Sequence, residues 1–323
     1  MVKMLQPSTL FIDDIRAFQV HALNYGRCPL CERGLAQGEK VSVGTLADGS
    51  MTVACEGCKS HMSNVLRSMV FHPKEYDVPK KDTVLWRYQD FPKFVSLLDS
   101  GELFFTRADN FEDAFEGARG FNFQKDAIYE SMRPSLILKV KHQLMVNGKD
   151  NPTDDEVETC VKEEMKVLIT RQEEKRKDYY VSCWHANERE SEAMWKLYIS
   201  AKNQGVAIQT TMERLCYSIG HEGFEVGAVN YISYDKPLDV DKTPIWYKRT
   251  AFQHEHEVRA ILNEPGKTTS GINVKMDLDM MIEKVYISPS APEWFAILVE
   301  NVMKKYDLNK KVEHSKLDEK PIY

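Results

Sequence analysis

No apolar run in the chain approaches the roughly 20 residues that span a bilayer. The N-terminus has no basic stretch leading into an apolar one, so no secretory signal is expected. Neither sign of charge dominates. With 43 Lys and Arg against 49 Asp and Glu, the formal net charge is −6, which excludes whole-chain electrostatic attraction to nucleic acid but leaves room for a local basic groove. There is no internal repeat and no low-complexity tract, which excludes solenoids and arrays. An even set of cysteines is also missing. Seven cysteines, with no signal segment, argue against a disulfide framework and for thiolate metal ligation. A cytoplasmic protein without membrane contact is expected. Hydrophobic residues at 42% and charged residues at 28% are ordinary globular usage, and 323 residues allow one sizeable domain plus a small module.

What is present first is a pair of cysteine knuckles. Cys28 and Cys31, then Cys55 and Cys58, form two C-x-x-C units with 23 residues between them. A structural zinc ion takes four tetrahedral ligands, and each C-x-x-C offers two thiolates on one tight turn. Two knuckles complete the shell and leave no open position for catalysis. Val41 to Gly44 and Met51 to Ala54, on either side of Asp48-Gly49, predict a short hairpin of the zinc-ribbon kind. The module is placed at residues 1–75. Cys160, Cys183 and Cys216 stand alone.

A breaker-rich stretch from His72 to Lys81, with Pro73 and Pro79, predicts a linker. Beyond it, residues 81–323 predict an α+β domain with a mixed or antiparallel sheet. Strands are expected over 83–88, 103–106, 179–184, 205–211, 226–234, 257–262 and 284–288. Helical spacing is expected over 91–100, closed by Gly101, and over 190–199 and 293–305. Residues 124–177 are charged, helical in composition and broken at 147–153, which predicts a two-helix insertion.

The segment Phe252-Gln253-His254-Glu255-His256-Glu257-Val258-Arg259 is the most unusual in the chain. If it is extended, alternation puts Glu255 and Glu257 on one face and His254 and His256 on the other. Like charges on one face are costly unless they meet solvent or a cationic ligand. A charged rim entering an apolar strand suits the edge of an active site. A solvated strand start is the plainer alternative.

Several quoted segments carry a resemblance. Leu85-Trp86-Arg87-Tyr88, Gly101-Glu102-Leu103-Phe104-Phe105, Val181-Ser182-Cys183-Trp184, Met194-Trp195-Lys196-Leu197-Tyr198 and Glu255-His256-Glu257-Val258-Arg259 resemble, in order and spacing, a bacterial domain family of unknown function. The order of parts also resembles the ADP-ribosyltransferase superfamily. That resemblance implies Arg87 on a first strand gripping NAD, Ser182 on a middle strand supporting the nicotinamide ribose, and Glu255-x-Glu257 at the start of a late strand. The superfamily's Ser-Thr-Ser is Ser182-Cys183-Trp184 here. Glu257 would stabilise the charge that develops as nicotinamide leaves, Glu255 would position or deprotonate the acceptor, and Trp86, Tyr88 or Trp184 would stack on the nicotinamide or adenine of NAD. Arg87 could equally pair with Glu112 or Asp113.

The resemblance implies a transferase that modifies a macromolecule, acting as a toxin or anti-phage effector with an antitoxin or inhibitor protein as a further partner, and the zinc ribbon favours nucleic acid over protein as the acceptor. Two alternatives stay open. His254 and His256, with His185 and Asp109 or Asp113, could hold the metal of a hydrolase or nuclease. Or the zinc ribbon recognises nucleic acid or protein and the large domain is a scaffold.

Overall fold

The computed structural model describes residues 28, 30–31, 33–36, 39–45, 51–61, 64–70, 76–120, 125–149, 151–199, 204–219, 224–233, 235, 238, 242–319 and 322. The cysteine module carries the expected hairpin, β1 (Lys40–Thr45) antiparallel to β2 (Met51–Cys55), with Val41 opposite Cys55. A third strand, β3 (Asn64–Val70), covers the other edge of β1 and was not expected. Cys28, Ala54, Cys55 and Cys58 pack together as the module's small core. The earlier part of the module and residues 71–75 of the expected linker lie outside the described residues.

The expected linker is structured from Tyr76 onward, so the large domain begins ahead of residue 81. The Tyr76 ring stacks on Trp246 with centroids 3.8 Å apart. The close approach needs glycine at 227, where a Cβ would sit 2.1 Å from the Tyr76 ring. The carbonyl of Asp77 accepts from the Ala228 N–H at 2.7 Å. Pro79 therefore follows an anchored segment rather than interrupting a free one.

The domain is mixed α+β. Its first unit is β4 (Val84–Asp90), α1 (Phe91–Ser100) and β5 (Glu102–Arg107). Phe94, Leu97 and Leu98 give α1 its buried face, and Gly101 ends it in the left-handed region at φ 64°, its N–H donating to the Leu97 carbonyl at 2.9 Å. Next come α2 (Lys125–Val146) and α3 (Asp154–Lys175), a helical hairpin with its own core of Leu136, Val140, Val157, Val161 and Met165. The sheet resumes with β6 (Tyr179–Ala186), α4 (Glu192–Tyr198), β7 (Gly205–Thr211) and α5 (Met212–Ser218). The strand expected over 226–234 is two short ones, β8 (Glu225–Ala228) and β9 (Asn230–Ile232). Then follow β10 (Tyr247–Arg249), β11 (Glu257–Asn263), β12 (Gly271–Lys275), α6 (Leu278–Met281), β13 (Lys284–Ile287), α7 (Glu293–Lys305) and β14 (Lys311–His314).

The main sheet runs β12-β5-β6-β4-β7-β13-β14, with β11 and then β8 branching from β6. Its pairs are antiparallel except β13 with β14. The branch decides where the cleft falls. β11 takes one edge of β6 along its length, from Glu257 opposite His185 to Asn263 opposite Tyr179. β4 and β5 share the other edge: β4 pairs at Ala186 and His185, β5 at Val181 and Tyr180. Between them, at residues 182–184, the sheet splits.

Register sorts the side chains. Leu85, Tyr180, Trp184, Val258, Ala260 and Leu262 join the main core on one face. Trp86, Cys183, His185, Glu257 and Arg259 alternate to the other. Among the described residues no helix is long and apolar enough to cross a membrane.

Candidate functional site

The sulfur atoms of Cys28, Cys31, Cys55 and Cys58 lie within 4.8 Å of one another. Cys31 and Cys55 sulfurs are 3.7 Å apart. A zinc ion with Zn–S bonds of about 2.3 Å has tetrahedral S–S edges of about 3.8 Å, so the four thiols can hold a metal ion such as zinc. Among the described residues this is the sole group of three or more His, Cys, Asp or Glu placed to do so. No such group forms around His254 and His256, so the hydrolase alternative gains nothing from the geometry.

A cleft of about 460 Å³ opens where the sheet splits. That is within the usual range for ligand sites, about 300–1,000 Å³. Its walls come from β4, β6, the start of β11, the loop around Glu116, α4 and the turn before β11. At the β11 end it holds a buried charge network. Lys248 Nζ reaches Glu255 Oε2 at 2.7 Å, Glu257 Oε2 at 3.0 Å and Glu116 Oε1 at 3.2 Å. Arg259 donates from Nε to Glu257 Oε1 at 2.7 Å, from Nη2 to Glu257 Oε2 at 3.1 Å and from Nη2 to Glu116 Oε2 at 2.7 Å. Burial alone would raise the Glu257 pKa, but Arg259 and Lys248 outweigh it and hold the group down to about 2. Burial alone would lower Lys248; Glu257 and Glu116 push it well above its ordinary value instead. Burial drives the Cys183 thiol up, and Glu257 beside it adds to the shift. The network is thus three carboxylates against two cations. Next to it Arg249 pairs with Asp113 at 2.8 Å.

Glu255 is not on the strand, which corrects the expected alternation. Residues Thr250–Glu255 form a 3-10 turn, His256 is left-handed at φ 39°, and β11 begins at Glu257. The two carboxylates still meet, because both reach Lys248 rather than because they alternate.

Arg87 lines the same cleft and lies in the split. Its Nη1 donates to Ser182 Oγ at 2.9 Å and to the Cys183 carbonyl at 3.0 Å, filling the edge of β6 that neither β4 nor β5 pairs. Its charge centre lies 5.7 Å over the Trp184 ring. Among the described residues it has no carboxylate partner within an ion-pair distance, and Asp113, one candidate, is taken by Arg249. Its Nε is buried and unbonded. Burial lowers its pKa, yet a guanidinium stays charged.

The sequence-chosen residues therefore do not share one face of the sheet. By register Arg87, Ser182 and Trp184 belong to the face opposite Glu257. The split brings Arg87 and Trp184 into the wall of the cleft, together with Tyr88, Glu255 and Glu257. Ser182 is buried and does not line it; its hydroxyl holds Arg87. Tyr88 and Trp184 are buried core residues whose edges form wall, and the Tyr88 hydroxyl accepts from the Ser191 N–H at 2.8 Å. Tyr198, which also lines the cleft, is half-exposed. Glu116 and Lys248 were missed by the sequence reading, and nothing local marks either. Their partners lie at least 130 positions away or across a turn. From sequence His185 reads only as a candidate metal ligand, whereas in the fold it stands opposite Glu257 across β6 and β11.

No protein-family model and no curated protein matches the chain.

Proposed function

We propose that the cleft binds NAD and transfers its ADP-ribose to a macromolecule, within an ADP-ribosyltransferase-like fold of the kind the sequence motifs resemble. The observation that carries this reading is the opposed charge of the cleft: an unpaired cation, Arg87, at the split and an excess of carboxylate at Glu116, Glu255 and Glu257. NAD has the matching polarity. Its pyrophosphate is anionic and its nicotinamide ring is cationic. Arg87, oriented by Ser182, would take the pyrophosphate or a ribose oxygen. The carboxylate end would stabilise the oxocarbenium-like charge at C1′ as the C1′–nitrogen bond breaks and its electron pair leaves with nicotinamide. The acceptor's nucleophile then bonds to C1′.

The four-cysteine module favours a nucleic acid as acceptor over a protein, with zinc as its structural ion. A transferase of this kind would act in the cytoplasm, where NAD is abundant, as a toxin or anti-phage effector restrained by an antitoxin or inhibitor protein. Membership of the bacterial family of unknown function is part of the same reading. The test is incubation with labelled NAD and separate RNA, DNA and protein fractions. Glu257→Gln keeps the shape and removes the charge, and it should cut labelling by roughly two to three orders of magnitude with little change in NAD affinity. Wild-type protein that neither binds NAD nor labels any fraction ends this reading.

A further inference from the structure

Transfer needs a group that takes the acceptor's proton, and the carboxylates of the buried charge network are already engaged by cations. Glu257 has both oxygens bound by cations, and Glu255 Oε2 is held by Lys248 at 2.7 Å. We infer that His185, through the free Nε2 of its neutral ring, is the base that accepts the proton of the attacking nucleophile; the inference rests on the transferase reading above.

The ring's tautomer follows from its partner. His185 Nδ1 lies 2.5 Å from the backbone carbonyl of Glu255. A carbonyl only accepts, so Nδ1 carries the hydrogen and donates it, and the lone pair of the neutral ring is on Nε2. The left-handed turn at His256 is what brings that carbonyl back onto the end of β6. Nε2 is buried and has no hydrogen-bond partner among the described residues. His185 lines the cleft and is only 6% exposed. A buried acceptor left unpaired in this way calls for a donor from a ligand.

The neighbours set its protonation. Glu257 stands opposite it on β11 and Trp86 opposite it on β4. The His256 ring stacks 6.0 Å away, the Tyr88 ring lies 6.3 Å away, and Tyr198 of α4 lines the same cleft. Burial lowers the His185 pKa, with His256 and His254 acting in the same direction against the Glu255 carbonyl. The ring is therefore unprotonated near neutral pH and ready to accept.

In the step, the hydroxyl or amine of the acceptor loses its proton to Nε2 as its oxygen or nitrogen bonds to C1′. The C1′–nicotinamide bond breaks with its pair going to the pyridine nitrogen, which becomes neutral. The imidazolium then returns the proton to solvent.

His185→Asn tests this. The Asn amide can still donate to the Glu255 carbonyl, but nothing replaces Nε2. Transfer should fall by roughly 10²- to 10⁴-fold, with NAD affinity unchanged. Wild-type transfer should fall as pH drops through a value below 6.5, and His185→Asn should lack that limb. Added imidazole should restore part of the rate. A His185→Asn protein as fast as wild type with the same pH limb overturns the inference, and so does a wild-type rate with no acid limb anywhere below pH 6.5 at which the protein stays folded, a measurement that decides even if the variant does not fold. Wild-type protein that takes no label from NAD is a separate outcome: it overturns the transferase reading and this role together.

Discussion

Arg259 grips the carboxylate of Glu257, two residues before it on β11, with Nε to Oε1 at 2.7 Å and Nη2 to Oε2 at 3.1 Å. Both side chains are buried, and the same guanidinium holds Glu116. Taking two charges out of water costs nearly what their attraction returns, so an apolar cluster of equal volume would serve stability as well. A buried network kept at a cleft wall is better explained by the field it provides there.

Breaking the network from one side should nonetheless be costly. Arg259→Met keeps much of the volume but leaves Glu257 and Glu116 with Lys248 as their remaining cation. We expect a loss of about 3–5 kcal/mol in denaturant unfolding of the large domain, because buried carboxylates lose a partner. A loss under about 1 kcal/mol would mean that water reaches the site and screens it.

The same network predicts an acid limb in stability. Glu257 has a folded-state pKa of about 2 against an ordinary 4.5. A lowered carboxylate pKa contributes stability that is full above the ordinary value and is lost as pH falls toward the folded one. Unfolding free energy should therefore drop between pH 4.5 and about 2, by roughly 3 kcal/mol from this group. Lys248, raised above its ordinary value, stays fully charged across that window and contributes no slope. Unfolding curves at several acid pH values check this. In Glu257→Gln the slope should flatten.

Periodicity made much of the fold legible. The spacing of Phe94, Leu97 and Leu98 with Gly101 behind them marks α1, and the apolar run 205–211 and the helix 293–305 fall where expected. The edge strands β12 and β14 were not seen, because strands with one partner and exposed alternate residues lack a strong apolar pattern. The linker was misplaced because Pro79 reads as a breaker while Tyr76 carries the packing. The cleft was legible through Glu257 and Arg87, but its mode of assembly was not. Alternation suggests that Glu255 joins Glu257 on one strand face, whereas a left-handed His256 and Lys248 bring them together. A split sheet leaves no local sequence signal at all.

The four-cysteine module should carry close to one zinc ion per chain in protein purified without chelator, measured by elemental analysis. Cys28→Ser with Cys31→Ser removes one knuckle and should abolish binding, because two thiolates cannot close a tetrahedral site. Since a structural zinc supplies folding energy, hydrogen exchange over β1 and β2 should rise sharply in this variant. Exchange over β6, β7 and β11 should not change. Zinc-free wild-type protein with protected β1 and β2 would show that thiol packing alone holds the module.

Arg87 and Ser182 give the sharpest separation of roles within the cleft. Arg87→Ala removes the guanidinium at the split together with its charge, so any anionic ligand loses a charge-assisted contact worth about 1.5–3 kcal/mol. NAD affinity should weaken by roughly 10- to 100-fold, seen by calorimetry, with the rate at saturating NAD much less affected. Ser182→Ala leaves the guanidinium in place, since the Cys183 carbonyl still accepts from Nη1 at 3.0 Å. It removes one neutral acceptor, worth about 0.5–1.5 kcal/mol, so its effect on affinity should be under about tenfold and in the same direction. The double variant should be no worse than Arg87→Ala alone, because Ser182 acts on the ligand through Arg87. Equal and additive losses would instead place the Ser182 hydroxyl on the ligand itself.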